Sequence, residues 1–150
     1  SELEEVVRKG MNEIRSKGVN DFIIDDSGLF INALKGFPGV YSAYGQKTIG
    51  NKGILRLMEG VKDRSAVFKC CIGCDIGGRT IIVTGECPGY ILDSERGNEG
   101  FGYDPIFTHD NERSFAEIGV EEKNVISHRG NAVALLREHL ISEGLIGPKN

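Results

Sequence analysis

A β-hairpin near the middle of the chain is the feature that most limits its fold. Stretches 66–75 and 79–86 alternate apolar and polar residues around the dipeptide Gly77-Gly78. A glycine pair can adopt the positive φ angles that a two-residue hairpin turn requires. We therefore predict an antiparallel strand pair here, with a further extended piece at 89–92.

Helical patterns lie on both sides of this hairpin. Ser1-x-x-Glu4 has the form of a capping box, and apolar residues recur behind it at helical spacing until Gly18. A second pattern lies close to Gly60, and a third follows Ser127, which is a suitable N-cap. The apolar positions are Leu3, Val6, Val7, Met11 and Ile14 in the first helix, Ile54, Leu55, Leu57 and Met58 in the second, and Ala132, Val133, Leu135, Leu136, Leu140 and Ile141 in the third. Together with the strands they predict an α/β protein, ending in a loose tail over 144–150.

Composition places the chain among ordinary globular proteins. It has 150 residues, 39% hydrophobic and 27% charged, with a net charge of -4. That length suits one domain, and the acidic balance argues against a nucleic-acid polymer as partner. We find no apolar run of membrane-spanning length and no signal peptide, so we expect a cytoplasmic protein.

Four cysteines raise the question of a zinc site. Cys71-x-x-Cys74 has the spacing of a metal-binding pair, and Cys70 and Cys87 are the other two cysteines. In a strand over 67–76, however, Cys71 and Cys74 would point to opposite faces. We therefore predict buried free thiols.

An acidic pair follows a short apolar segment. We expect 22–24 to be a strand buried on both faces that ends at Asp25 and Asp26, before Ser27-Gly28. Such a strand would deliver both carboxylates to the mouth of a cleft, although a plain polar turn explains the same residues. The stretch 29–34 fits either a second strand or a short helix.

A glycine-rich loop occupies 93–102, followed by a short strand at 106–107. Phe101, Tyr103 and Asp104 lie in or next to this loop, and Pro105 favours an extended conformation at Asp104. The two aromatic rings offer faces on which a base or sugar could stack, or they fold back into the core.

Basic residues gather at the start of the last helix. His128 and Arg129 follow the N-cap, and Lys123 lies just upstream. Positive charge is unfavourable at a helix N-terminus, so this local conflict points to binding of an anionic or acceptor-rich ligand.

Four separated motifs carry a family resemblance. In chain order they are Asp25-Asp26-Ser27-Gly28-Leu29, Gly36-Phe37-Pro38-Gly39-Val40-Tyr41-Ser42, Gly100-Phe101-Gly102-Tyr103-Asp104-Pro105-Ile106-Phe107 and Ser127-His128-Arg129-Gly130. They closely resemble the inosine triphosphate pyrophosphatase family. Residues 115–117 and 122–124 also fit, so the similarity covers most of 21–140.

The resemblance implies a fold, a reaction and a site. The fold is an elongated mixed sheet flanked by helices, with two lobes and a central cleft, usually in a homodimer. The reaction is hydrolysis of ITP, dITP or XTP to the monophosphate and pyrophosphate with Mg²⁺. Asp26 matches the acidic residue that binds metal and accepts a proton from water, and Asp25 would support it. The matched substrate contacts are Ser27, Phe101, Gly102, Tyr103, Asp104, Lys123, His128 and Arg129.

The chemistry of these residue types agrees with that substrate. Hypoxanthine and xanthine carry an oxygen acceptor at position 6, where adenine carries an amino donor. Arg129 has only donors, and His128 or a backbone N–H can add another, so adenine would leave groups unpaired.

The chain departs from the family pattern at its beginning. Members normally start with a strand, a Gly-Asn-x-x-Lys phosphate loop and a metal-binding glutamate, and we find no convincing counterpart. We therefore expect an N-terminally truncated single domain over 1–150, impaired as an enzyme, unless another subunit fills the gap. The alternatives are an inactive purine-nucleotide-binding or dimer-forming protein and a relative that clears modified pyrimidine or other nucleotides.

Overall fold

One antiparallel sheet organises the fold. The computed structural model of the chain describes residues 2–147. Within them the strands are β1 (Phe22–Ile31), β2 (Ser65–Ile76), β3 (Arg79–Ile91) and β4 (Phe107–Thr108), in the spatial order β1-β2-β3-β4. The helices are α1 (Glu2–Ser16), α2 (Ser42–Thr48), α3 (Gly50–Leu57), α4 (Val120–Ile126) and α5 (His128–Ser142). The predicted α/β class is confirmed.

The predicted hairpin is confirmed and is longer than expected. Gly77 and Gly78 have φ angles of 56° and 76°, as a tight turn between right-twisted strands requires. Strand β3 continues through the extended piece at 89–92 as far as Ile91, which pairs with Phe107 of β4. The hairpin therefore forms the centre of the sheet.

Strand β1 corrects the expectation for the acidic pair. It does not end at Asp25 but runs on to Ile31, with Asp25 opposite Ile72 and Asp26 opposite Cys71 of β2. Continuous pairing with β2 explains the length, and an edge strand tolerates polar side chains because they still reach water. Ile23 is 61% exposed, so the segment is not buried on both faces as predicted. After Ile31 the chain forms a 3-10 turn.

Helices cover the two faces of the sheet. Helix α1 packs Leu3, Val7 and Met11 against Cys71, and α5 packs Ala132 and Leu136 against the other face. Two strand glycines allow this close approach. A side chain at Gly73 would meet the Met11 sulfur at 2.5 Å, and one at Gly85 would clash with the Ala132 backbone. We call the side of the sheet covered by α1 the α1 face, and the side covered by α5 the α5 face.

The cysteines occupy the core as predicted. All four are buried and free. Cys71 packs on the α1 face, whereas Cys70 and Cys74 pack on the α5 face, so Cys71 and Cys74 do point in opposite directions. Cys87 lies in a third cluster, built around the rings of Phe68, Phe107 and Phe115.

Several chain segments differ from the sequence-based expectation. The predicted second helix is α3, which begins at Gly50 with φ of 64°. Helix α2, just before it, lies where we expected the loop to continue. Helix α4 was not predicted. Leu145, in the supposed loose tail, packs against the α5-face cluster. The expected capping box depends on Ser1, and both Ser1 and residues 148–150 lie outside the described residues.

The described helices include no candidate membrane span. Between residues 2 and 147, no helix is both long enough and apolar enough to cross a bilayer.

Candidate active site

The turn between α4 and α5 places three basic side chains side by side. Ser127 caps α5 as predicted, with its Oγ accepting the N–H of Gly130 at 3.1 Å. A side chain at Gly130 would collide with the Asn124 carbonyl, so this sharp connection needs glycine. The turn brings Lys123 at the end of α4 close to His128 and Arg129 at the start of α5.

Arg129 joins α5 to strand β1. Its Nη1 donates to the Asp25 carboxylate in an ion pair, and its Nη2 lies 3.5 Å from Ser27 Oγ. The Arg129 side chain is 50% exposed. Since guanidinium carries five N–H donors, donors remain for a ligand after these contacts are made.

Asp104 and Lys123 anchor the glycine-rich loop. Their ion pair is largely buried, with side chains 6% and 18% exposed. Asp104 also accepts the backbone N–H of Phe101 at 3.0 Å. Gly100 has φ of 76°, and a side chain there would strike the Asp104 carboxylate. The loop is therefore folded around one carboxylate that a lysine neutralises.

The two aromatic residues of the loop take opposite orientations. Phe101 is 77% exposed, and Lys123 Nζ lies 5.1 Å from its ring centroid. Tyr103 is 6% exposed, and its hydroxyl donates to the Ser42 carbonyl at 2.6 Å. Phe101 thus offers a free face for stacking, while the Tyr103 ring belongs to the core.

His128 is held as a neutral, partly buried ring. It stacks on Phe68 with centroids 4.6 Å apart and planes 14° apart. Burial, together with the positive charges of Arg129 and Lys123, lowers the His128 pKa to about 4. Its Nδ1 is buried without a hydrogen-bond partner among the described residues. The sequence did not indicate that Phe68 would support this ring.

Asp26 lies apart from the other candidate residues. Neighbouring residues in a strand point to opposite faces, so Asp25 shares the α5 face with Ile72 and Asp26 shares the α1 face with Cys71. The expectation that the two carboxylates act side by side is therefore not supported. Burial raises the Asp26 pKa, and the charge of Asp25 raises it further.

The donor set for a metal is small. No group of three His, Cys, Asp or Glu side chains converges within residues 2–147. Mg²⁺ is commonly bound through one or two carboxylates together with substrate phosphates. The half-buried carboxylate of Asp26 fits one ligand of such a site, with the nucleotide supplying others.

Comparison with known proteins gives the same assignment as the motifs. A sequence model of the Ham1 family matches residues 1–139. The dITP/XTP pyrophosphatase of Pyrococcus horikoshii is 51% identical over 139 residues, covering 92% of this chain and 75% of that protein. The enzyme of the same name from Methanopyrus kandleri is 51% identical over 138 residues, covering 91% and 73%.

Solved structures agree. The Staphylococcus aureus Ham1 protein superposes with a TM-score of 0.76 at 37% identity, covering 83% of this chain and 68% of that one. A nucleoside-triphosphatase, dITP/XTP pyrophosphatase, from Mycobacterium abscessus gives 0.73 at 32% identity, covering 91% and 74%. The resemblance carried by the four motifs is confirmed, and the chain belongs to the Ham1 family.

Proposed function

We propose that this chain hydrolyses non-canonical purine nucleoside triphosphates, namely ITP, dITP and XTP, to the monophosphate and pyrophosphate. One observation carries the proposal. Lys123 lies over the exposed Phe101 ring, and the charges of Lys123 and of the half-exposed Arg129 act on a neutral His128. Relatives 51% identical to the chain bear the name dITP/XTP pyrophosphatase. A nucleotide-binding protein without turnover is the less favoured alternative.

Base recognition follows from the donors on the α5 face. Arg129 retains N–H groups that fit a 6-keto oxygen, and a neutral His128 can donate from one ring nitrogen. An adenine amino group would face the Arg129 guanidinium, which has donors only, and leaving desolvated donors unpaired strongly disfavours the wrong substrate. Phe101 adds stacking that any base satisfies, so it contributes affinity rather than selectivity.

The loop residues serve this pocket in different ways. Asp104 holds the loop through Lys123 and the Phe101 N–H, and Gly102 supplies the turn between Phe101 and the buried Tyr103. On the same reading Asp25 and Ser27 orient Arg129. Asp25 is thus a positioning residue rather than a second acid.

Asp26 is the group we assign to the reacting water. Its raised pKa makes it a stronger base than an ordinary carboxylate. Because β1 is at the edge of the described sheet, a nucleotide bound on the α5 face can send its phosphates over that edge toward Asp26. We propose Mg²⁺ as the metal, held by Asp26 and the phosphates. Bound there, it would neutralise charge on the triphosphate chain.

We further propose that residues 1–150 act as a single domain, in a cytoplasmic homodimer. The dimer rests on the family resemblance, and the compartment is the expectation drawn from the sequence. Sedimentation equilibrium tests the dimer, since a monomer mass at micromolar concentration would contradict it.

Product analysis tests the reaction. The purified chain is incubated with ITP and Mg²⁺, and the products are separated by anion exchange. We expect IMP and pyrophosphate in equal amounts. Inosine diphosphate with orthophosphate would show a different bond being broken, and tight ITP binding without products would favour the binding-protein alternative.

A further inference from the structure

Two amide side chains hold the carbonyl group of Gly102. Asn51 Nδ2 donates to Gly102 O at 2.9 Å, and Gln46 Nε2 donates to the same oxygen at 3.3 Å. The two amides also contact each other, with Gln46 Nε2 at 3.5 Å from Asn51 Oδ1. Gln46 belongs to α2 and Asn51 to α3, and neither matches a motif of the candidate site.

Asn51 connects both ends of the glycine-rich loop. Its amide nitrogen carries two hydrogens, and it donates to Glu95 Oε1 at 3.2 Å as well as to Gly102 O. Glu95 lies near the beginning of the loop and Gly102 at its end. One side chain from α3 therefore closes a segment that glycine would otherwise leave conformationally free.

The neighbouring contact shows that α2 is built to dock this loop. Tyr103, directly after Gly102, donates its hydroxyl to Ser42 O of α2 at 2.6 Å. A side chain at Gly45 would meet that hydroxyl at 2.8 Å, so glycine is what allows the approach. Helix α2 therefore contacts two consecutive loop residues, Tyr103 through Ser42 and Gly102 through Gln46.

Apart from Lys123 Nζ over its ring, Phe101 is held in place through its backbone. Its ring is 77% exposed, and the glycines on either side, Gly100 and Gly102, both have positive φ angles. Asp104 restrains the Phe101 N–H from one side. On the other side, the Phe101 carbonyl accepts the Asp104 N–H at 3.2 Å. The Gly102 carbonyl, held by the two amides, is a further restraint on the backbone that follows Phe101.

We propose that Gln46 and Asn51 are positioning residues, which hold the Phe101 ring ready to stack on the nucleotide base. This inference rests on the proposed function, because it assigns the ring the role of base platform. Holding the ring before binding removes an ordering cost that the substrate would otherwise bear. Its loss should therefore weaken substrate binding more than it slows the bond-breaking step.

The test uses variants that keep the shape of each amide and remove its donors. Asn51→Asp and Gln46→Glu are nearly isosteric, and Ala43→Glu adds the same charge at an exposed position of α2. The chain contains four tyrosines but no tryptophan, so Phe101→Trp introduces a single tryptophan whose fluorescence can be excited selectively. Each variant is made with and without this reporter.

We expect Asn51→Asp, which loses its hydrogen bonds to Gly102 O and Glu95, to raise KM for ITP about tenfold. Gln46→Glu should raise it several-fold. Turnover at saturation should change less than about threefold, and the steady-state anisotropy of the reporter should fall in both variants. Ala43→Glu should leave KM and anisotropy unchanged. Gln46→Met, which adds no charge, provides a neutral version if an acidic variant fails to fold.

Two results would overturn the proposal. One is an unchanged KM and anisotropy in both amide variants. The other is a loss of turnover and melting temperature at constant KM and anisotropy, which would mean that the amides only stabilise the fold. If the parent chain shows no turnover, the proposed function fails, and the anisotropy measurement alone decides whether the amides hold the ring.

Discussion

Arg129 and Asp25 form an ion pair that ties the first turn of α5 to strand β1. The same guanidinium reaches Ser27 Oγ at 3.5 Å, so two residues of one strand face orient it. This contact gives Asp25 a role different from that of Asp26, although the two are adjacent. It also fixes the donor group that we assign to base selection.

Replacing Arg129 should affect selectivity more than stability. Arg129→Lys removes the planar fork of donors but keeps the charge. Because the ion pair with Asp25 is about half exposed, we expect stability to fall by less than about 1 kcal/mol. We expect the preference for ITP over ATP to fall at least tenfold, measured as the ratio of kcat/KM values. An unchanged ratio would remove Arg129 from base recognition.

Asp26 and Asp25 should respond differently to the same change. Asp26→Asn removes the proposed water-activating carboxylate, so we expect kcat to fall by roughly 10² to 10⁴ with ITP binding retained. Asp25→Asn is the matched control, and it should lower kcat less than about tenfold because it only orients Arg129. Single-turnover kinetics and equilibrium binding separate the two effects. Equal losses in both variants would contradict the division of roles.

Substitutions of Phe101 and Tyr103 should have opposite effects: the first should weaken ITP binding, and the second should lower stability. Phe101 is exposed, so Phe101→Ala should change unfolding free energy by less than about 0.5 kcal/mol. The lost stacking should weaken ITP binding by roughly 1–3 kcal/mol. Tyr103→Phe leaves the Ser42 carbonyl without its donor and should cost about 1–2 kcal/mol of stability. Urea unfolding measures stability and calorimetric titration measures ITP binding. Lower stability in Phe101→Ala with unchanged binding would contradict the assignment.

His128 should make the fold sensitive to mild acid. Its pKa in the fold is about 4, compared with an ordinary value of 6.5. The unfolded chain therefore takes up a proton at a higher pH than the folded chain does, and stability falls as pH drops from 6.5 toward 4. The difference between pH 8 and pH 5 is about 2 kcal/mol for this group.

Comparing the wild type with His128→Gln isolates that contribution. The variant cannot titrate, so its loss of stability between pH 8 and pH 5 should be smaller by about 2 kcal/mol. Urea midpoints at both pH values provide the measurement. Identical pH dependence in the two proteins would show that the ring is not held neutral by its surroundings.

Local signals in the sequence were sufficient for the hairpin and for α5. Gly77-Gly78 and the Ser127 cap each specify their structure within a few residues. The sequence-based prediction of β1 was too short. The length of this strand depends on pairing with β2, some forty residues away in the chain, and no local pattern reveals that pairing. Helix α4 was not predicted because it has no apolar stripe. None of its residues is buried.

The sequence indicated candidate residues for the site but not their geometry. The motifs contain Arg129, Lys123 and Phe101, and each of them contacts another candidate residue in the structure. That Asp25 and Asp26 lie on opposite faces follows only once both are known to be inside one strand. Gln46 and Asn51 gave no signal, because a polar residue on a short helix is ordinarily solvated.

The most direct test of the account is the rate of pyrophosphate release from ITP, XTP and ATP by this chain with Mg²⁺. We expect kcat/KM for ITP and XTP to exceed that for ATP by at least about 10², since adenine presents an amino donor to the Arg129 guanidinium, which has donors only. Comparable rates with ATP would contradict it, because the donors of Arg129 and His128 would then have no part in choosing the substrate.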